Sequence, residues 1–201
     1  MTGKIPLDLY DVLISSEQSL NCKSRIPSLC SGCSNESCYF ANINKMLMMI
    51  DSSAKTLCIS MYIFSHQQIL WAVREAHERG VKVRVIIDHR MIQRNSLLHK
   101  LLHNRGVPIR TKKSGDNIMH HKLCLIDAEG DDREPVPTSG CVFDIPSTGA
   151  AMLGSQNYCT KGLVVNFDNT IITTDVAIIE PLQKEFNRMW DDFKPVDFNS
   201  L

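Results

Sequence analysis

The stretch from residue 56 to residue 88 constrains the fold more than any other. It reads TLCISMYIF (56–64), SHQQILWAVREAHERG (65–80) and VKVRVIID (81–88). The first run is almost continuously apolar and rich in strand formers, the pattern of a strand covered on both faces. The last alternates as a strand should. Between them, Ser65 has Gln68 three residues on, the spacing of a capping box, and Gly80 supplies the helix end.

The rest of the chain continues the alternation. Residues 8–15 (DLYDVLIS) predict a first strand, and Phe40, Ile43, Leu47 and Ile50 recur at helical spacing over 39–55. A helix follows over 91–104 and a short basic strand over 107–113. Further strands fall at 118–127, 150–155 and 167–174, and 176–193 closes the chain as an amphipathic helix carrying Phe186, Met189, Trp190 and Phe193. Strands alternating with helices argue for one α/β layered domain, with a central mixed sheet flanked by helices. At 201 residues the chain can fill one core, so 1–201 is expected to be a single domain. The 26 residues between Asp127 and Gly154 are long for a link between neighbouring strands. Residues 128–149, acidic and rich in Pro and Gly, are expected to form a solvated surface insertion.

Formal net charge is zero, so attraction to nucleic acid or an anionic membrane must come from a local patch. No run of 18 apolar residues is present, and the first 20 residues lack the apolar core of a secretory signal. Of the eight cysteines, Cys22, Cys30, Cys33 and Cys38 fall within 17 residues. A disulfide framework would need an oxidising compartment. Without a secretory signal, a reducing compartment and a bound metal are the better reading.

The stretch IMHHKLCLID (118–127) carries the candidate chemistry. Side chains alternate along a strand, so His120 and Lys122 share one face and His121 points to the other. A neutral imidazole beside a fixed positive charge is a usable nucleophile or base. Asp127 lies roughly 17 Å along the strand from Lys122 at ~3.3 Å per residue, so a structural role suits it better. Further on, GSQN (154–157) puts Ser155 and Asn157 two apart, both able to donate to a phosphate oxygen, although such residues also form ordinary strand-end turns. His89 and Arg90 follow Asp88 at the carboxyl end of a strand, where ligand sites gather. Arg110, Lys112 and Lys113 form a basic edge that could guide a phosphate backbone.

HHKLCLID followed by GSQN resembles the HKD motif of the phospholipase D superfamily. SMYIFSHQQILWAVREAHERGVKVRVIID, MHHKLCLID and NFDNTIIT together resemble its Zucchini / mitochondrial phospholipase D branch, over about residues 10 to 195. The resemblance implies a phospholipase D-like domain with one motif per chain, working as a homodimer whose two motifs face each other across the two-fold axis. It implies His120 as the nucleophile that forms a phosphohistidine, with the partner subunit's His120 as general acid. Lys122 and Asn157 would stabilise the phosphoryl oxygens, assisted by Ser155, and Asp168 stands where the family has a histidine-orienting Glu. Tyr158 and Cys159 stand where Trp and Thr are usual. The catalytic set carried over is thus His120, Lys122, Asn157, Ser155 and Asp168, with Asp127 completing the motif. No catalytic metal is implied. A structural zinc knuckle over 22–38 is implied, with Cys22, Cys30, Cys33 and Cys38 in the ligand positions.

The function implied is a metal-independent endonuclease that cuts single-stranded RNA in making piRNAs. Two other classes compete: a phospholipase D acting on cardiolipin with the same histidines, and a non-catalytic paralogue that binds without cutting. A narrow cationic groove would favour RNA, a wider apolar cleft lipid. The branch has an N-terminal helix anchoring it to the mitochondrial outer membrane with the domain on the cytosolic face. Here the first strand starts almost at once, so a truncated chain is expected.

Overall fold

A computed structural model describes residues 4–7, 10–22, 33–112, 115, 117–138 and 142–200. Eight strands form one mixed sheet in the spatial order β10-β5-β4-β3-β6-β8-β9-β2. Three neighbouring strands, β3 (Thr56–Met61), β4 (Lys82–Ile87) and β5 (Ile109–Thr111), are parallel. β6 (Lys122–Ile126) runs antiparallel to β3, with Ile59 opposite Cys124 and Met61 opposite Lys122. β8 (Ala150–Gly154), β9 (Asp168–Thr173) and β2 (Tyr10–Ser15) continue outward in antiparallel order, and β10 (Lys194–Pro195) closes the other edge. All six β3 residues are buried, as a near-continuous apolar run requires.

Two apolar layers cover the sheet. On one face α1 (Tyr39–Asp51), α2 (Gln67–Glu78) and α4 (Ser96–Asn104) bury Ile43, Met46, Ile69, Val73 and Leu102 against Ile59, Met61 and Cys124. On the other, α6 (Val176–Asp192) buries Ile179, Phe186 and Met189 against Cys58, Leu123 and Leu125. Alternation along β6 thus divides its side chains between the layers.

The structure corrects four expectations. Residues 91–104 are two helices, α3 (His89–Arg94) and α4, broken at Asn95. The Asp88 carboxylate accepts from Arg90 N and starts α3 early, and Asn95 N–H closes that helix on Met91 and Ile92. Ser65 is not the cap of α2. His66 is, because the N–H groups of Ser65 and His66 both donate to Tyr158 O and hold this segment extended. The strand expected over 118–127 begins only at Lys122, and 117–121 are irregular.

Residues 128–149 are, finally, more than a solvated loop. Within them β7 (Val142–Asp144) pairs in parallel with β1 (Lys4–Pro6), and Val142 and Phe143 are buried. Val136 packs on the core and donates its N–H to Ala54 O. Two of the segment's acids are paired: Glu129 with Lys82 and Arg84, and Asp131 with Lys82 and Arg133.

Candidate active site

Three elements meet where β3 ends and β6 begins. His120 precedes β6 and is exposed, yet its main chain is held from several sides. Met119 N–H donates to the buried carboxylate of Asp88 (2.9 Å), and Tyr62 N–H donates to His121 O (2.9 Å). Lys122 Nζ donates to His120 O itself (2.9 Å). The His120 ring lies against Tyr62, centroids 4.7 Å apart, and the Lys122 ammonium sits 5.1 Å from the same Tyr62 ring. Lys122 is nearly buried, at 9% exposure, so its charge is fixed in place.

That setting tunes the imidazole. Burial and then the Lys122 charge push His120 below the ordinary histidine range, against a smaller opposing pull from Asp88. The neutral ring, the nucleophilic form, therefore prevails at neutral pH. Burial also lowers Lys122, partly offset by Asp168. His121 faces the α6 layer: its Nδ1 lies 3.5 Å from Ser60 Oγ, and burial lowers it while Glu185 opposes.

The GSQN segment reaches the same place by a close approach. A Cβ on Gly154 would lie 2.2 Å from Asn169 O, and one on Gly162 would lie 2.4 Å from Asn157 O. Only glycine lets β8 approach β9 at Asn169, and α5 (Thr160–Val164) approach the Asn157 carbonyl, so closely. Ser155 Oγ donates to Asp168 Oδ1 (2.7 Å) and accepts from Asn169 N (3.1 Å). Asn157 Oδ1 accepts from Ile63 N–H (3.0 Å), which turns its amide nitrogen away and leaves that donor with no partner among the described residues. Tyr158, in the family's Trp position, is buried and packs edge-on against Phe64, 6.2 Å between centroids. Cys159, in the Thr position, caps α5 through Sγ, accepting from Gly162 N–H.

His120, Lys122, Asn157, Ser155 and Asp168 therefore lie on segments joined at one end of β6, β8 and β9. Asp168 is bonded to Ser155, and its charge acts on Lys122. Asp127 is at the opposite end of β6, where its carboxylate accepts the N–H groups of Ala54, Lys55 and Thr56. Arg110 is engaged elsewhere. Its guanidinium stacks over Trp190 at 4.6 Å and donates to Trp190 O and Phe193 O, tying β5 to the end of α6. His89 Nδ1 is 3.9 Å from Asp88 Oδ2, next to the clamp on Met119. Arg90 is exposed, Lys112 is half-buried, and Lys113 lies outside the described residues. Sequence reasoning missed Tyr62 and Asp88, whose roles arise from contacts across 58 and 31 residues.

The cysteines before α1 also converge. The Sγ atoms of Cys22, Cys33 and Cys38 all lie within 4.8 Å of one another, with Cys22 and Cys33 3.9 Å apart. Thiolates around a tetrahedral zinc stand ~3.8 Å apart, given Zn–S of ~2.3 Å, so the donor set fits that ion. Burial pushes the Cys38 thiol up to about 12, a penalty that metal coordination would reverse. Cys30 lies outside the described residues. Asn35 stitches the site together, donating from Nδ2 to Gln18 O and Asn21 O.

Comparison with known proteins agrees with this geometry. Residues 46–190 match the family described as cardiolipin synthase, PLD-like domain, and the chain belongs to the phospholipase D superfamily. Within it, the relatives are those of the Zucchini / mitochondrial phospholipase D branch. A Drosophila melanogaster protein named mitochondrial cardiolipin hydrolase is 31% identical over 171 residues, covering 85% of this chain and 67% of its own. The Xenopus tropicalis protein of that name is 26% identical over 156 residues, 78% of this chain and 64% of its own. For the Homo sapiens one the figures are 26%, 78% and 54%, so the chain spans roughly half to two thirds of these relatives. Among solved structures, Nuc from Salmonella typhimurium, titled a phospholipase D family member, superposes with a TM-score of 0.64 at 20% identity, over 93% of this chain and 98% of that one. NucT from Helicobacter pylori gives 0.64 at 17% identity, with the same coverage.

Proposed function

We propose that the chain is a phosphodiesterase that works through a phosphohistidine at His120, and that it cuts single-stranded RNA as a homodimer. One His120 attacks phosphorus in its neutral form, and the partner subunit's His120, charged by a proton that the bound phosphate anion stabilises, gives that proton to the departing oxygen. Water, deprotonated by that second histidine, then releases the phosphate from His120 and leaves a 5′-phosphate end. Lys122 and the Asn157 amide draw charge from the non-bridging oxygens. The carrying observation is His120 itself. It is exposed, kept neutral by partial burial and Lys122, and aligned by clamps on residues 119 to 121. An exposed nucleophile can meet a phosphate flanked by long substituents on both sides, as in a polynucleotide. The reading also takes Cys22, Cys30, Cys33 and Cys38 as a structural zinc knuckle. It places the protein at the cytosolic face of the mitochondrial outer membrane, in keeping with the relatives' mitochondrial names. Among the described residues no helix is long and apolar enough to cross a membrane.

A second reading, hydrolysis of cardiolipin, is favoured by the relatives' names and by exposed Ile118, Val165 and Phe167 on the segments that carry His120 and Asp168. The test presents end-labelled single-stranded RNA and cardiolipin vesicles in parallel, with EDTA present. RNA cut to 5′-phosphate ends supports the first reading. Lipid turnover without RNA cutting replaces it with the second. A 2′,3′-cyclic phosphate product contradicts the phosphohistidine route, and inactivity on both substrates removes both readings.

A further inference from the structure

The helices over β4 and β5 expose a surface that the chemistry above does not use. Residues 89–106 carry Arg90, Arg94, Lys100 and Arg105 and no Asp or Glu, in a chain whose net charge is zero. Leu97 and Leu101, one turn apart on α4, are 70% and 56% exposed, and Trp71 on neighbouring α2 is 49% exposed. Between these helices runs a cleft of about 140 Å³, walled by Leu70, Trp71, Leu98 and Leu101 with Arg74 and Arg105 at its sides. Glu75 and Glu78 of α2 pair with Arg74, and Glu78 also faces Arg105 at 3.9 Å. Arg94 and Lys100 are exposed and have no carboxylate partner among the described residues, and Lys100 Nζ reaches only Phe198 O.

We infer that this α2–α4 face is a peripheral membrane-docking surface that seats on anionic phospholipid. A Trp beside two protruding leucines is what the interface between headgroups and acyl chains accepts, the ring and branched chains entering while the backbone stays outside. The flanking cations outnumber Glu75 and Glu78, which face Arg74 and Arg105, so the net positive charge matches a negative leaflet and adds attraction within a Debye length. Charge decides between occupants. A second copy would set the same cations against themselves, whereas an anionic bilayer neutralises them. Docking would hold the domain against a membrane surface whatever phosphodiester enters the His120 site.

The experiment is co-sedimentation with vesicles of phosphatidylcholine alone or with about a third phosphatidylserine, using His120→Ala so that turnover cannot intervene. We expect binding to the mixed vesicles, weak binding to the neutral ones, and a fall as salt rises. Leu97→Ser with Leu101→Ser, and separately Arg94→Glu with Lys100→Glu, should each weaken binding at least about tenfold. In the wild-type background both double variants should keep hydrolysis of a small soluble phosphodiester, which separates this inference from the catalytic reading. Equal binding to both vesicle types, or variants that bind as the parent does, overturns it. So does a change in oligomeric state with lipid binding intact, which would assign the face to a second copy.

Discussion

Replacing Asp127 tests whether the last residue of the HKD motif serves the fold or the reaction. Its carboxylate accepts from Ala54 N (2.9 and 3.2 Å), Lys55 N (2.7 Å) and Thr56 N (2.8 Å), and its own N–H donates to Thr56 O. A hydrogen bond to a charged acceptor contributes about 1.5–3 kcal/mol. Ala54 and Lys55 are half-buried, so water would recover part of two of these bonds, while Thr56 is buried. A net loss of about 3 kcal/mol follows for Asp127→Ala. Asp127 also has φ 51°, where alanine adds about 1 kcal/mol of strain that Asp and Asn largely escape. The expected total is about 4 kcal/mol for Asp127→Ala and about 2 for Asp127→Asn, which keeps one acceptor and tolerates the backbone. Urea unfolding, at ~2 kcal/mol per molar, should then show midpoints lower by about 2 M and 1 M with unchanged slopes. Cleavage per folded molecule should stay within about twofold, because Asp127 stands at the far end of β6. An alanine variant with an unmoved midpoint and a collapsed rate would refute the structural assignment.

Other outcomes follow from the same geometry. His120→Ala should abolish hydrolysis, whereas His121→Ala, facing the α6 layer, should keep much of it; an equal loss of rate in the two would contradict the assignment of the nucleophile to His120 alone. A re-equilibrated 1:1 mixture of wild-type and His120→Ala chains should retain about a quarter of full activity if each site needs both histidines, since random pairing leaves a quarter wild-type dimers; activity near one half would mean each chain works alone. Elemental analysis of freshly reduced protein should find one zinc per chain, and Cys33→Ser should lower both metal content and melting temperature. Burial holds His66 at about 4, below its unfolded value, so its contribution to stability is present above ~6.5 and is lost as pH falls through that window. Between pH 7 and 4.5 this amounts to about 2 kcal/mol, which should be missing from the pH dependence of urea midpoints in His66→Asn.

Sequence pattern reached furthest where one residue's neighbours decide its state. β3 was legible because burial on both faces leaves an apolar run that no helix of that length would need, and β4 because its apolar residues alternate with Lys82 and Arg84. The pairing of His120 with Lys122 was legible from alternation, even though His120 stands just outside β6. β1, β7 and α5 are three to five residues long and carry too little pattern to be seen. The Ser65 cap failed because Tyr158, 93 residues away, claims the N–H groups that a new helix would leave open. In sequence Arg110 is part of a basic edge suited to a phosphate backbone, and only the fold reveals Trp190 beneath it. Asp88 and Tyr62 escaped notice for the same reason: their partners are distant in sequence.

Lys122 donating to the carbonyl of His120 has a consequence for motion. The ammonium takes its position from the peptide that carries the imidazole, and both rest on one Tyr62 ring. Thermal excursions of residues 117–121 therefore carry the two groups along together, and their separation varies less than either one's distance to the bound phosphate. In the proposed homodimer, registration errors between subunits would then fall on the partner's histidine, making proton delivery to the leaving oxygen, and not nucleophilic attack, the step most sensitive to a loosened dimer.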